Sequence, residues 1–137
     1  MLEEALVPIN CDTDVVTARQ KARAMASGIG FEATDQTLIA TAISELARNI
    51  LSYARHGEVL LKIIVNKDGS RTGLMVVARD EGPGIPNIHQ ALQDGFSTSG
   101  SLGLGLPGAR RLMDEFEITS VVGQGTCVIG RKWIRSI

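Results

Sequence analysis

Ala42-Ile43-Ser44-Glu45-Leu46-Ala47-Arg48-Asn49-Ile50, then Asp80-Glu81-Gly82-Pro83-Gly84-Ile85, then Gly103-Leu104-Gly105-Leu106-Pro107-Gly108, in that order, carry the reading of this chain. Around the first run, Leu38, Ile39, Ala42, Ile43, Leu46, Ala47, Ile50 and Ala54 recur at helical spacing and make a wide apolar stripe. A core-packed helix is predicted, with Thr34 or Asp35 as N-cap, running to about Arg55 before Gly57. Glu45 and Asn49 lie four apart, so both project from nearly the same face, one turn apart. Asn has poor intrinsic preference for the middle of a helix, so its presence asks for a reason. A hard cation supplies one. Mg²⁺ takes few protein oxygens beside phosphate oxygens and waters, so Asn49 would hold the metal while Glu45 stays free as a general base.

Downstream of this helix, Val59 to Val65 and Leu74 to Ala78 are β-rich runs separated by Asn66-Lys67-Asp68-Gly69-Ser70, which is turn chemistry. They read as an antiparallel hairpin of two central strands. The second strand leads straight into Asp80-Glu81-Gly82-Pro83-Gly84. A carboxylate at a strand end accepts a hydrogen bond from a base amino group, and the adjacent glycines let a ligand approach the backbone closely.

From Asp80 to Gly108 the composition turns to Gly, Pro and Ser, with a short helix expected at about Ile88 to Gln93. A loop of that length inside a compact domain is usually functional. Its G-x-G-x-x-G run is not a dinucleotide fingerprint, because no apolar strand leads into it and the Gly123–Gly125 turn stands where the ribose carboxylate would be. Nor does a Lys follow a glycine as a Walker A loop requires. What remains is a glycine-rich loop entering a helix N-terminus, which presents N–H groups to phosphate. That helix is expected from about Leu104 to Glu115, with Pro107 tolerated in its first turn. Between Asp80 and Ala109 there is no Lys or Arg, so phosphate charge must be met by backbone donors, Mg²⁺ and a basic residue from elsewhere. Arg110 is the nearest candidate in sequence.

The flanks complete the pattern. Residues 2–9 are an expected edge strand; Val15, Val16, Ala18, Ala22, Met25 and Ile29 predict a helix ended by Gly28 and Gly30. Glu117 to Val122 and Cys127 to Ile134 form a hairpin across Gly123-Gln124-Gly125. Helix-rich and strand-rich blocks together imply an α+β fold, a two-layer sandwich of a mixed, mainly antiparallel sheet with helices on one face.

The whole is 137 residues, the size of one domain spanning 1–137, with 44% apolar residues to build its core. Fourteen Lys and Arg against fifteen Asp and Glu leave a formal charge of −1, so no basic excess marks a nucleic-acid or membrane surface. Cys11 and Cys127 lack metal or disulfide spacing and read as buried or half-buried thiols. Glu3 and Glu4 stand where a signal peptide would be basic, and no apolar run approaches the roughly 20 residues of a membrane helix, so a cytoplasmic protein is expected. His56 and His89 sit beside turn signals and read as solvated loop histidines. Asp114 and Glu115 read as a solvated helix end with the unfavourable sign for the helix dipole.

Glu-x-x-x-Asn on a helix, Asp-x-Gly-x-Gly after a strand, Gly-x-Gly before a helix and Gly125-Thr126 in the last hairpin together resemble the successive boxes of the GHKL ATP-binding superfamily. The resemblance covers roughly Thr34 to Trp133. A domain of this size is similar to its anti-sigma-factor and switch serine/threonine kinase branch. Asp94-Gly95-Phe96-Ser97-Thr98-Ser99-Gly100 and the run from Leu106 to Phe116 look specifically like the stressosome switch kinases. The basic lid residue of the anti-sigma kinases is missing, which favours the switch branch.

The resemblance implies a Bergerat-type sandwich holding Mg-ATP. By motif position Glu45 is the catalytic base, Asn49 the Mg²⁺ ligand and Asp80 the partner of the adenine amino group. Gly82 and Gly84 line the base pocket, Thr126 supports Asp80 through a hydroxyl or a water, and Gly100, Gly103 and Gly105 belong to the lid over the phosphates. The implied activity is transfer of the ATP γ-phosphoryl to Ser or Thr of STAS-domain (RsbS/RsbR-like) stressosome proteins, followed by activation of an RsbU-like phosphatase. The alternative is a slow or non-catalytic nucleotide-dependent binding module such as an anti-sigma factor; an intact Glu45 favours the enzyme.

Overall fold

A computed structural model describes residues 3–85, 87, 92 and 105–135. Within them the order is β1 (Glu4–Ile9), α1 (Asp12–Ile29), α2 (Ala33–Tyr53), β2 (Gly57–Val65), β3 (Thr72–Asp80), α3 (Gly105–Leu112), β4 (Glu115–Val121) and β5 (Gly125–Trp133). The strands form one sheet in the order β1-β2-β3-β5-β4, and every neighbouring pair among the described residues is antiparallel. This is the α+β sandwich that the sequence implies, with β1 at an edge and β2 and β3 inside the sheet.

Strand alternation decides which face is covered. Val7, Val59 and Ala78 face one another across the strands, as do Leu61 and Val76, and all are buried. Side chains two apart share a face, so these residues form the floor on which the helices pack. Helix α2 supplies the centre of that core through Ile39, Ile43 and Leu46, each with almost no exposed surface. Truncating such a residue to Ala typically costs about 2–5 kcal/mol. Ser44, buried on the same helix, returns its hydroxyl to the Ala40 carbonyl at 2.9 Å, so it brings no unmet donor into the core.

Local chemistry explains the boundaries, and here the expectations need correction. Helix α1 starts where the Asp14 carboxylate accepts the Asn10 amide at 2.8 Å and the Cys11 amide at 3.3 Å. It runs through Gly28 and stops at Gly30, whose φ of 102° and amide bonds to Ala26 and Ser27 carbonyls close the helix. Helix α2 is capped by Glu32 without a side-chain bond, so Thr34 and Asp35 lie in its first turn and not at its cap. The Gln36 amide reaching the Phe31 carbonyl at 2.8 Å holds that entry instead. Arg55, at φ 68°, turns the chain out of the helix toward β2. In the β2–β3 turn Ser70 bonds Asp68 through hydroxyl and amide, which holds that exposed carboxyl below its ordinary value.

Helix α3 ends at Leu112, short of the expected Glu115. Asp114 and Glu115 are not a solvated helix end: Asp114 accepts the Trp133 amide at 2.8 Å, and Glu115, the first residue of β4, accepts the Trp133 indole N–H at 2.6 Å. Pairing with β5 stops the helix early. Lys132, buried on the helix side of β5, donates to the Leu112 carbonyl at 3.0 Å and so places a cation at the C-terminal end of α3. Cys11 is exposed and Cys127 partly buried, so only the second thiol fits its expectation. His56 is exposed, with Nδ1 3.0 Å from Asn10 Oδ1; His89 and the short helix expected near it lie outside the described residues. No helix among the described residues is long and apolar enough to cross a membrane.

Candidate functional site

Three elements converge at the end of the sheet where β3 finishes. Helix α2 brings Asn49 and Tyr53, β3 brings Asp80, and β5 brings Thr126; with Gly84, Ile85 and Leu106 they line a narrow pocket between helix layer and sheet. Asp80 and Thr126 are direct partners in the β3–β5 register, so antiparallel pairing sets their side chains on one face. A larger open cleft of about 820 Å³ is also lined by Asp80 and Thr126, together with their strand neighbours Arg79 and Cys127. Neither Glu45 nor Asn49 lines it, and Arg79 within it bonds Glu58 at 2.8 Å. The smaller pocket gathers Asn49, Asp80, Gly84 and Thr126, while Glu45, Gly82 and Gly105 do not line it.

The Asp80 carboxylate accepts the Gly82 amide at 2.9 Å, a local turn that aims it. Gly82 passes so close to α2 that a Cβ would lie 2.6 Å from the Ala54 Cβ. Gly84, at φ 79°, lies where a Cβ would press on the Val121 carbonyl at 2.6 Å. The Pro83 carbonyl takes the Gly123 amide at 2.8 Å, so this loop is tied to the β4–β5 turn. Gly105 opens α3 at φ 26°; it and Leu106 are buried in that first turn. Gly100 and Gly103 lie outside the described residues.

Ser120 is a residue that the motifs did not single out. Its hydroxyl accepts the Ile85 amide at 2.7 Å and lies 2.8 Å from Thr126 Oγ1 and 3.2 Å from the Gly125 carbonyl. Thr126 thus stands opposite Asp80, and its hydroxyl is engaged with Ser120. The sequence signal was there but faint: Ser120 is the antiparallel partner of Thr126 across a turn whose register only the fold sets.

Glu45 projects from α2 one turn before Asn49 and does not line the pocket itself. It is 4% exposed, and its Oε1 accepts Arg48 Nη1 at 3.1 Å. Burial and the guanidinium partner fix the orientation of this carboxylate, and geometry is the first requirement of a general base. Among the described residues no group of three or more His, Cys, Asp and Glu could hold a metal ion. A divalent cation at this site would therefore share the Asn49 amide oxygen with phosphate oxygens and water, a donor set that fits Mg²⁺. Arg110 lies in the last turn of α3, at the end opposite the buried entry of that helix, and so is displaced from where the sequence suggested it would help.

An antiparallel five-stranded sheet under α2, with an acid–amide pair above a strand-end Asp, defines an ATP-binding domain, and comparison with known proteins agrees. The chain belongs to the histidine kinase-like ATPase domain family, whose model matches residues 8–132. It is 49% identical over 135 residues, 98% of this chain and 100% of its relative, to serine/threonine-protein kinase RsbT of Bacillus subtilis. An anti-sigma F factor of Geobacillus stearothermophilus is 35% identical over 107 residues, covering 72% of this chain and 70% of that one. Among solved structures, the RsbU and RsbW domains of a Mycobacterium tuberculosis protein superpose with a TM-score of 0.66 at 18% identity, over 98% of this chain and 33% of that one. The mycobacterial sensor histidine kinase MprB follows at a TM-score of 0.56 and 16% identity, over all of both chains; these two likenesses concern the fold. With the full-length kinase match, the chain is an ATP-dependent protein serine/threonine kinase.

Proposed function

We propose that residues 1–137 act as one kinase domain of a bacterial partner-switching system, transferring the ATP γ-phosphoryl to a Ser or Thr hydroxyl of STAS-domain stressosome proteins. Once released from them, the kinase binds and activates an RsbU-like phosphatase in the cytoplasm. The observation that carries this reading is the placement of buried Glu45 one turn from Asn49, which lines the same pocket as Asp80 and Thr126. Relatedness to RsbT supports the substrate class and the second partner.

Asp80 accepts the adenine amino group; Gly84 lines the same pocket, and the close approach of Gly82 to α2 and of Gly84 to β4 holds their loop against it. Asn49 would hold Mg²⁺ through its amide oxygen, and the ion would supply charge neutralisation at the phosphates. Backbone donors at the entry to α3, from Gly105 onward, would meet the phosphates, a role that motif position also gives to Gly100 and Gly103. Glu45 accepts the proton of the acceptor hydroxyl as the hydroxyl oxygen bonds to Pγ and the bond from Pγ to the bridging oxygen breaks, its electron pair leaving on ADP. Positioning and charge neutralisation supply most of the acceleration.

The test mixes the protein with Mg²⁺, γ-labelled ATP and a STAS-domain partner. Glu45→Gln should lower transfer by about 10²–10⁴-fold, the span of general-base catalysis, while ATP binding persists. The anti-sigma F relatives support a second reading, a nucleotide-gated binding module. ATP-dependent capture of the partner without label transfer by the native protein would favour it.

A further inference from the structure

The site has a charge problem. Its carboxylates, Glu45 and Asp80, approach a ligand that is itself a polyanion, and the entire glycine-rich segment from Asp80 to Ala109 contains no Lys or Arg. Arg110 and Arg111 lie in the last turn of α3. Arg79 is engaged with Glu58 on the other face of β3, and Lys132 is buried beneath the far end of α3. Among the described residues, Arg48 is bonded directly to a candidate residue, Glu45, and stands one residue before Asn49. Glu45, Arg48 and Asn49 occupy positions i, i+3 and i+4, so base, guanidinium and metal-binding amide share one helix face.

Resting on the kinase reading above, we propose that Arg48 is the cation that meets the γ-phosphoryl charge, held on Glu45 until ATP arrives and then moving to the phosphoryl oxygens. The pair is asymmetric in the way such a transfer requires. The Glu45 side chain is 6% exposed and locked in the helix layer, whereas the Arg48 side chain is 52% exposed and hinged on a long flexible stem. An ion pair with one half-exposed member is held weakly, so a more highly charged acceptor outcompetes the single carboxylate. The exchange does two things. It releases Glu45 from its guanidinium partner when the base is needed, and it brings a planar donor fork to the group on which charge develops. During transfer the acceptor oxygen bonds to Pγ, its proton passes to Glu45, and the bond from Pγ to the bridging oxygen breaks with its electron pair leaving on ADP. Arg48 N–H groups face the three remaining γ oxygens throughout.

The experiment measures MgATP and MgADP dissociation constants by calorimetry for the native protein, Arg48→Ala, Arg48→Lys, Glu45→Gln and the Arg48→Ala/Glu45→Gln double variant, with phosphoryl transfer in parallel. Arg48→Ala should weaken ATP about tenfold and ADP less than twofold, and slow transfer on the order of 10³-fold, the scale of a phosphoryl-contacting arginine. Arg48→Lys should restore more of the ATP affinity than of the rate, since an ammonium lacks the guanidinium fork. Glu45→Gln should bind ATP a few-fold tighter by freeing Arg48, and that gain should vanish in the double variant. Equal weakening of ATP and ADP by Arg48→Ala would overturn the proposal, as would unchanged ATP affinity, because Arg48 would then merely support the helix. If the native protein transfers no label, the kinase reading fails, while the ATP-over-ADP preference still decides Arg48.

Discussion

Gly125→Ala tests how tightly β5 is pressed against the Asp80 end of β3. Gly125 sits at φ 134°, and a Cβ there would strike the Asp80 carbonyl oxygen and lie 2.8 Å from the Glu81 Cα, both rigid backbone. Two costs add: about 1–3 kcal/mol for a side chain at this backbone angle and about 1–3 kcal/mol for the forced shift. Unfolding entropy near 2.1 cal/mol/K per residue makes 1 kcal/mol worth about 3–4 °C in a chain this long. A drop of roughly 10–15 °C in Tm is expected, with loss of ATP binding at temperatures where the variant is still folded, because Asp80 is the residue displaced. Two controls isolate the contact. Gly30, at φ 102°, has nothing within 4 Å of its Cβ position, so Gly30→Ala meets only the conformational cost of about 1–2 kcal/mol and loses roughly 3–7 °C. Gly28, inside α1 and equally open, gains about 0.5–1 kcal/mol of helix propensity as Ala and melts slightly higher. Calorimetric melts of the three variants should rank in that order. A Gly125→Ala melt within two or three degrees of Gly30→Ala would refute the close approach of β5 to Asp80.

Two further outcomes follow from the same region. Ser120→Ala strands the Ile85 amide and removes the partner of the Thr126 hydroxyl, so it should cost about 1–2 kcal/mol and weaken ATP binding several-fold, with Ser120→Thr retaining most of both; fluorescent-nucleotide titration with unchanged affinity for Ser120→Ala would contradict it. Burial raises the Cys127 thiol above its ordinary value, a rise that Arg79 opposes and Asp80 adds to, whereas Cys11 is exposed. Alkylation at mildly alkaline pH should therefore label Cys11 first. The raised value also means that the fold favours the neutral thiol, so this contribution to stability is present at lower pH and is lost as pH rises through the folded-state value. Faster labelling of Cys127, followed by mass spectrometry of peptides, would contradict both statements.

Periodicity was enough for what is local. The apolar stripe from Leu38 to Ile50 predicts α2 because a helix repeats its contacts every turn, and the turn residues between Val65 and Leu74 predict the β2–β3 hairpin because their backbone preferences are intrinsic. The boxes around Glu45, Asp80 and Gly125-Thr126 were legible for the same reason: each is a short run of residues whose chemistry and spacing can be read without neighbours. Even the Glu45–Arg48 spacing is local, although its asymmetry is not, since only packing of α2 on the sheet buries the carboxylate and leaves the guanidinium in water.

The remainder depended on register and packing between distant segments. Asp114 and Glu115 read as a helix end until β5 brings Trp133 within hydrogen-bond reach and draws both into a strand junction. Arg110 is close to the glycine loop in sequence, but the direction of α3 carries it to the opposite end of the helix. Ser120 has no motif, yet antiparallel pairing places it against Thr126 and beneath the Ile85 amide. By itself the sequence determined most of the elements and which residues are candidates for chemistry, because those properties reside in short stretches of chain; the tertiary structure alone decided which of them meet, because a strand shifted by one residue would send each side chain to the other face.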